Sequence, residues 1–154
     1  MPREFIAPAV EQVAFREYES PALSTGQIRV KSLYAAAKHG TEMSLFKGYA
    51  NPRGNFDREL RIFDNQGEGV NYPLGLGNMG IGTVVELGPG VTQCKEGDQV
   101  FNYGPFREEH IWPETVRALP IDVPWQAAVC LDPADFALGA VRDGRVRVGD
   151  AVAV

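Results

Sequence analysis

Short apolar runs separated by glycine and proline are the main pattern of the chain, and they predict a mostly β domain with many turns. Val10 to Tyr18 alternates loosely and is β-compatible. Ser24-Thr25-Gly26 reads as a turn, and Gln27 to Ala36, with Ile28, Val30 and Leu33 as apolar positions, as a long strand. The pattern breaks at Lys38-His39-Gly40-Thr41-Glu42. There the Thr41 hydroxyl can cap a short helix over Met43 to Lys47, with Gly48 just past its end. Tyr49 to Asn71, which includes Gly54, Gly67 and Gly69, shows little β pattern. Phe56, Leu60 and Phe63 stand at helical spacing and predict one short helix inside a long surface loop. Regularity returns at Tyr72, and Met79 to Leu87 predicts a second long strand, closed by the turn Gly88-Pro89-Gly90. Glu96-Gly97-Asp98 turns the chain into Gln99-Val100-Phe101, and His110 to Trp112 and Thr115 to Leu119 give two more short strands. Ala127 to Val141 is helical in pattern and broken at Asp132-Pro133; Gly149-Asp150 is a turn before a strand opening at Ala151 to Val154.

Composition narrows the function classes. At 154 residues, 44% hydrophobic and 23% charged, the chain can bury a core and does not read as disordered. A net charge of -5 without a basic block argues against sequence-independent binding to nucleic acid or an anionic membrane. No apolar run approaches the roughly 20 residues that cross a bilayer, and Met1 to Phe5 shows no secretory pattern. Cys94 and Cys130 are too few for a disulfide framework or a zinc knuckle, which makes the cytoplasm the expected compartment. A buried parallel strand at Ala151 to Val154 would need neighbours and a crossover, so the chain is read as a fragment of a longer protein.

Several side chains invite a chemical reading beside a bland one. Gly75-Leu76-Gly77-Asn78-Met79-Gly80 matches G-x-G-x-x-G, but β-branched residues follow it where a nucleotide loop needs a helix. It therefore reads as a turn and strand. Cys94 and Cys130 read as buried thiols, and His110 as structural. Phe101, Tyr103, Phe106 and Trp112 are open between substrate cleft and core.

Four segments together resemble one family. Ala35-Ala36-Ala37-Lys38-His39-Gly40-Thr41-Glu42 looks like a small-residue strand end followed by Cys-Gly-Thr-Asp. Leu76 to Gly88 resembles Gly-His-Glu-x-x-Gly-x-Val-x-x-x-Gly, and Val91 to Val100 resembles Val-x-x-(Phe/Cys)-Lys-x-Gly-Asp-x-Val. Val146-Arg147-Val148-Gly149-Asp150 is similar to a Val-x-x-Gly-Asp lead-in to a nucleotide-binding domain. The family is the medium-chain dehydrogenase/reductases, in their zinc-type alcohol and polyol branch. The resemblance implies a mostly β fold with short helices, a GroES-like, partly open β-barrel. It implies that residues 1–148 form the catalytic, substrate-binding domain and that residues 149–154 begin the first strand of a Rossmann domain missing here.

It also implies an oxidoreductase that uses NAD or NADP. In the family a zinc ion with three protein ligands and one open position polarises the alcohol oxygen. Here His39 stands at the Cys position, Asn78 at the His and Met79 at the Glu; Asp132 lies near a later acidic position. Amide and thioether are poor zinc ligands, so the zinc site is degenerate and expected to be metal-free, and the four-cysteine structural zinc lobe is absent. His39, Thr41 and Asp132 are the expected catalytic residues, and Glu42, Asn78 and Met79 the expected cleft residues. Thr41 is open between relay and helix cap, Asp132 between chemistry and capping, and Glu42 also suits the positive end of a helix dipole. The expected partner is a small alcohol, polyol, aldehyde or enone, with a homo-oligomer open for the full-length protein. The alternative is a non-catalytic GroES-like scaffold or binding module.

Overall fold

The structure, a computed structural model, describes residues 1–49, 55–64, 69–119 and 123–153. In chain order the elements are β1 (Arg3–Ala7), β2 (Ala14–Glu17), β3 (Gln27–Ala36), α1 (His39–Phe46), β4 (Phe56–Asp57), β5 (Ile62–Phe63), β6 (Leu74–Gly75), β7 (Met79–Leu87), β8 (Gln99–Tyr103), β9 (Glu109–Pro113), β10 (Arg117–Ala118), α2 (Trp125–Ala128) and α3 (Leu131–Asp143). A five-stranded antiparallel sheet runs β10-β8-β7-β3-β9, a three-stranded sheet runs β2-β1-β6, and β4 with β5 makes a small hairpin. The fold is mostly β with short helices, and its sheets do not close on themselves.

The two long strands carry the core because their β-branched positions alternate toward one side. Ile28 and Val30 of β3 pack with Val84, Val100 and Trp112. Toward the other end of the same sheet, Met79, Ile81 and Phe101 pack with Ala128 of α2. Phe101 and Trp112 are thus core aromatics. Pairing of β3 with β7 contains two irregularities of opposite sense. Val30 faces Val84 directly after Arg29 faces Glu86, which leaves Val85 extra on β7. Tyr34 faces Ile81 after Ser32 faces Gly82, which leaves Leu33 extra on β3. Gly77, between β6 and β7, has φ +109 and approaches the Phe106 backbone so closely that a Cβ would lie 2.5 Å from its nitrogen. Both constraints require glycine there.

Several boundaries differ from the sequence pattern for physical reasons. Arg3–Ala7 forms a strand that its charged residues conceal, because Glu4 is buried against Arg16 and Arg107. The loose Val10–Tyr18 run narrows to Ala14–Glu17. The helix expected over Met43–Lys47 starts four residues earlier, at His39, and Gly48 (φ +68) closes it with Tyr49 N–H donating to the Ser44 carbonyl. No helix forms at Phe56–Phe63. The Asp57 carboxylate accepts the N–H groups of Glu59 and Leu60 in a tight turn, and Phe56 meets Phe63 across a hairpin. Seven-residue spacing serves a hairpin as well as a helix. Gly54 and Gly67 lie outside the described residues. The expected 127–141 helix is two helices that part at Val129–Cys130, ahead of Asp132-Pro133, since proline is tolerated in a helix's first turn. Cys130 is exposed, not buried, because it sits at that break. Residues 151–153 carry no strand, having no neighbouring strand to bond, and Val154 lies outside the described residues.

Candidate functional site

One end of the five-stranded sheet gathers the polar chemistry. Ala36, at the end of β3, pairs with Met79 at the start of β7, and Met79 pairs with Tyr103 at the end of β8. Asn78 N–H donates to the Ala36 carbonyl at 3.3 Å, and Gly104 N–H to the Asn78 carbonyl at 3.1 Å. Just past β3 the chain enters α1 through Lys38, and the first turn of α3 brings Asp132 to the same place.

Asp132 is the centre of this cluster. It is only 5% exposed. The Lys38 ammonium lies 2.7 Å from its Oδ2, and the Tyr103 hydroxyl donates to its Oδ1 at 2.9 Å. The hydrogen-bonded Lys38 ammonium holds the Asp132 carboxyl below the usual carboxylate range, and Tyr103 adds to this against the opposing effect of burial. In return the Asp132 carboxylate raises the Tyr103 phenol, with burial acting in the same direction. Lys38 Nζ also lies 4.3 Å from the centroid of the Phe136 ring, one turn along α3 from Asp132.

The start of α1 is locked by Glu42. Its carboxylate accepts the Lys38 backbone N–H at 2.6 Å, while Glu42 N–H donates to the Lys38 carbonyl at 3.0 Å. This reciprocal arrangement caps the helix from within, so Thr41 is not its cap but an exposed residue of the first turn. His39 is likewise exposed, at the first helical position. Asp132 does not cap α3 either; Cys130 holds the cap position.

Of the expected site residues, the structure joins Asp132, Glu42 and Asn78 through Lys38, Ala36 and Tyr103. His39 and Thr41 stand on the adjoining exposed turn. Met79 is 2% exposed and belongs to the apolar cluster beneath. Asn78 Oδ1 is buried with no hydrogen-bond partner among the described residues. Such an acceptor costs about 1–3 kcal/mol unless a ligand or water supplies a donor. Lys38 and Tyr103 are the two residues that sequence reasoning did not assign. Lys38 sits inside the recognised motif, which was the available signal.

A zinc ion does not fit this donor set. It needs three thiolate, imidazole or carboxylate donors. Met79 is in the core, Asn78 offers an amide, and both Asp132 oxygens face a cation or a phenol. Among the described residues no three His, Cys, Asp or Glu side chains come together as a metal-binding group. A dinucleotide does not fit the Gly75–Gly80 segment either, because β7 and not a helix follows it. No described helix is long and apolar enough to cross a membrane.

His110 packs against Gly104 and Gly80 at the edge of this cluster. It is buried in β9, stacked on Trp112 at 4.6 Å, and burial, aided by Arg107, lowers its pKa to about 4. It is a neutral structural residue. Cys94 donates to the Glu114 carbonyl and packs against the core; burial pushes its thiol up.

Comparison with known proteins places this geometry. Residues 24–111 match the family described as "Alcohol dehydrogenase GroES-like domain". The chain is 36% identical to D-guloside 3-dehydrogenase of Escherichia coli (strain K12), over 99% of this chain and 46% of that enzyme. It is 34% identical to the mitochondrial enoyl-[acyl-carrier-protein] reductase of Bos taurus, over 68% of this chain and 29% of that enzyme. The chain thus spans about half the length, or less, of the curated relatives it matches. In fold it is similar to 2R,3R-butanediol dehydrogenase from Bacillus subtilis, with a TM-score of 0.72 at 18% identity over 97% of this chain and 49% of that one. It is also similar to an alcohol dehydrogenase from E. coli CFT073 complexed with NADH, with a TM-score of 0.70 at 19% identity over 94% of this chain and 46% of that one.

Proposed function

Since the chain belongs to the alcohol dehydrogenase GroES-like domain family of the medium-chain dehydrogenase/reductases, we propose that it is the substrate-binding half of a cytoplasmic, NAD- or NADP-dependent oxidoreductase. The reaction interconverts a hydroxyl and a carbonyl on a glycoside or polyol, at a site without zinc. The observation that carries this reading is the polar cluster around Asp132, in a chain whose identity to a guloside dehydrogenase runs along 99% of its length.

Residues 1–148 supply the substrate half, and the nucleotide belongs to a domain for which residues 149–154 are the lead-in. When bound, the nicotinamide supplies the hydride acceptor or donor. The work of this chain is to hold the reacting carbon and to manage the proton. Asp132, ionised and fixed by two donors, orients the groups around the substrate oxygen. The Thr41 hydroxyl and the His39 imidazole, both on the exposed first turn of α1, pass the hydroxyl proton between substrate and solvent. Asn78, whose backbone joins Ala36 and Gly104, forms part of the cleft wall, while Glu42 and Met79 support it from the buried side.

The test is turnover by the protein expressed from its full reading frame. Methyl D-guloside, sorbitol and butane-2,3-diol are each offered with NAD+ or NADP+. Reduced nicotinamide is expected to form with at least one of them, and to form equally after treatment with a metal chelator. No reduced nicotinamide with any pair would end the oxidoreductase reading.

A further inference from the structure

Resting on the oxidoreductase reading of this same site, we infer that Lys38 is the built-in cation of the site: its ammonium binds and polarises the reacting oxygen of a neutral hydroxyl or carbonyl substrate, in place of a metal ion. An ammonium has three N–H donors. The group is ion-paired with Asp132 Oδ2 at 2.7 Å, and the Phe136 ring faces it at 4.3 Å. The side chain is still 33% exposed, so the group keeps donor capacity on its open side. Both ends of the residue are fixed. Its backbone N–H is bound by the Glu42 carboxylate, and its ammonium by a carboxylate that Tyr103 holds in turn. A donor aimed before the substrate arrives needs no reorganisation when charge develops on oxygen.

The surroundings also choose the ligand. Lys38 and Asp132 together carry no net charge, which favours a neutral oxygen over a carboxylate or phosphate. A hydroxyl or carbonyl oxygen accepts, and the ammonium is the donor that meets it. The same ammonium stands against the one buried carboxylate that a metal ion would use. Lys38 forms no covalent bond in this role. It contributes a charge-assisted hydrogen bond that strengthens as the oxygen gains negative charge.

The experiment compares wild type, Lys38→Met, Lys38→Arg and the double variant Lys38→Met/Asp132→Asn in the full-length protein. Each is assayed with methyl D-guloside, sorbitol and butane-2,3-diol, for thermal midpoint, and for zinc retained after dialysis against Zn2+. The expected result is a loss of about a hundredfold in kcat/KM for Lys38→Met, with partial rescue by Lys38→Arg. The double variant removes the pair as a unit. It is expected to restore the thermal midpoint but not the activity, which separates substrate binding from mere neutralisation of Asp132. Recovery of activity in the double variant would overturn the inference, as would Lys38→Met activity within a few-fold of wild type. Stoichiometric zinc in the wild type, with activity lost to a chelator, would overturn it as well. If the wild type turns over none of the three alcohols, the oxidoreductase reading falls and this inference falls with it; if only the Lys38 outcomes fail, that reading stands.

Discussion

Glu4 and Asp132 are both buried carboxylates, and their partners set them apart. Glu4, 2% exposed, lies in β1 between two guanidinium groups, Arg16 at 2.5 Å and Arg107 at 2.6 Å, one on each oxygen. Burial pushes its carboxyl up, but the two arginine hydrogen bonds outweigh that and hold it below the usual range. Arg107 pairs with β1 through an isolated bridge and Arg16 lies in β2, so this cluster ties strands together. Asp132 is held by one ammonium and one phenol, and Tyr103 is 53% exposed. The Glu4 cluster joins segments of the sheet and serves architecture, although its arginines are partly exposed. The Asp132 cluster stands at the sheet end that leads into α1, and its lysine is partly exposed as well. Burial, a depressed pKa and partly exposed cationic partners are common to both; what distinguishes the Asp132 cluster is its place beside the exposed turn of His39 and Thr41.

Stability measurements can break this comparison. The largest effect is expected for Glu4→Ala, which leaves two arginines facing a vacated pocket. Both are partly exposed and can reach water, so the loss is about 3 kcal/mol, near the low end for a broken buried pair. Denaturant melts would read it, and activity per folded molecule should not change. A cost no larger than that of Asp132→Asn would mean that the two clusters are not different in kind.

Acid should produce a loss of similar order through His110. Its folded pKa is lowered to about 4 from 6.5, so the unfolded chain takes up the proton first as pH falls. Stability is then intact above about pH 6.5, declines through the interval, and is lower by on the order of 3 kcal/mol near pH 4. Glu4 and Asp132, both depressed, give up their contributions only at lower pH still, as pH drops through their folded values. A thermal midpoint that is flat between neutrality and about pH 5 would contradict the assignment of His110 as a buried neutral residue.

Tyr103→Phe should cost about 1.5 kcal/mol, the low end for one hydrogen bond to a charged partner, because the other side of Asp132 is held by Lys38. Thr41→Ala sharpens the comparison from below. The residue is exposed and Glu42 performs the capping, so stability should stay within about 0.5 kcal/mol. A turnover defect in the same variant would then report proton relay and nothing else.

The long strands were legible because their residues leave little choice. Gln27–Ala36 follows a turn and carries Ile28 and Val30 on one face, Met79–Leu87 is β-branched and ends at a turn, and both run as the pattern predicts. Arg3–Ala7 was not legible, since Glu4 is an inward-facing charge whose arginine partners come from other segments. Phe56 and Phe63 misled because one spacing fits two geometries. Within the site, Asp132 was legible because it lies near the family's later acidic position, and Asn78 because it stands where the family has His. Tyr103 remained open between core and cleft, and only the fold shows its hydroxyl on Asp132. The motif gives Lys38 no role of its own, because its partner lies on a helix far away in sequence.

The two irregularities in the β3–β7 pairing have a consequence for descent. Leu33 is the surplus residue on one strand and Val85 on the other, so the offsets cancel and Ala36 still meets Met79. Because Leu33 has no partner on β7, losing it alone would let Tyr34 follow Ser32 in regular register and leave Ala36 opposite Met79. Losing Val85 alone would likewise bring Val84 directly after Glu86 and keep every pair. Loss of a paired residue would instead move the far end one step and turn its side chains to the other face. The two surplus positions are therefore where these strands are expected to tolerate a change of one residue in length.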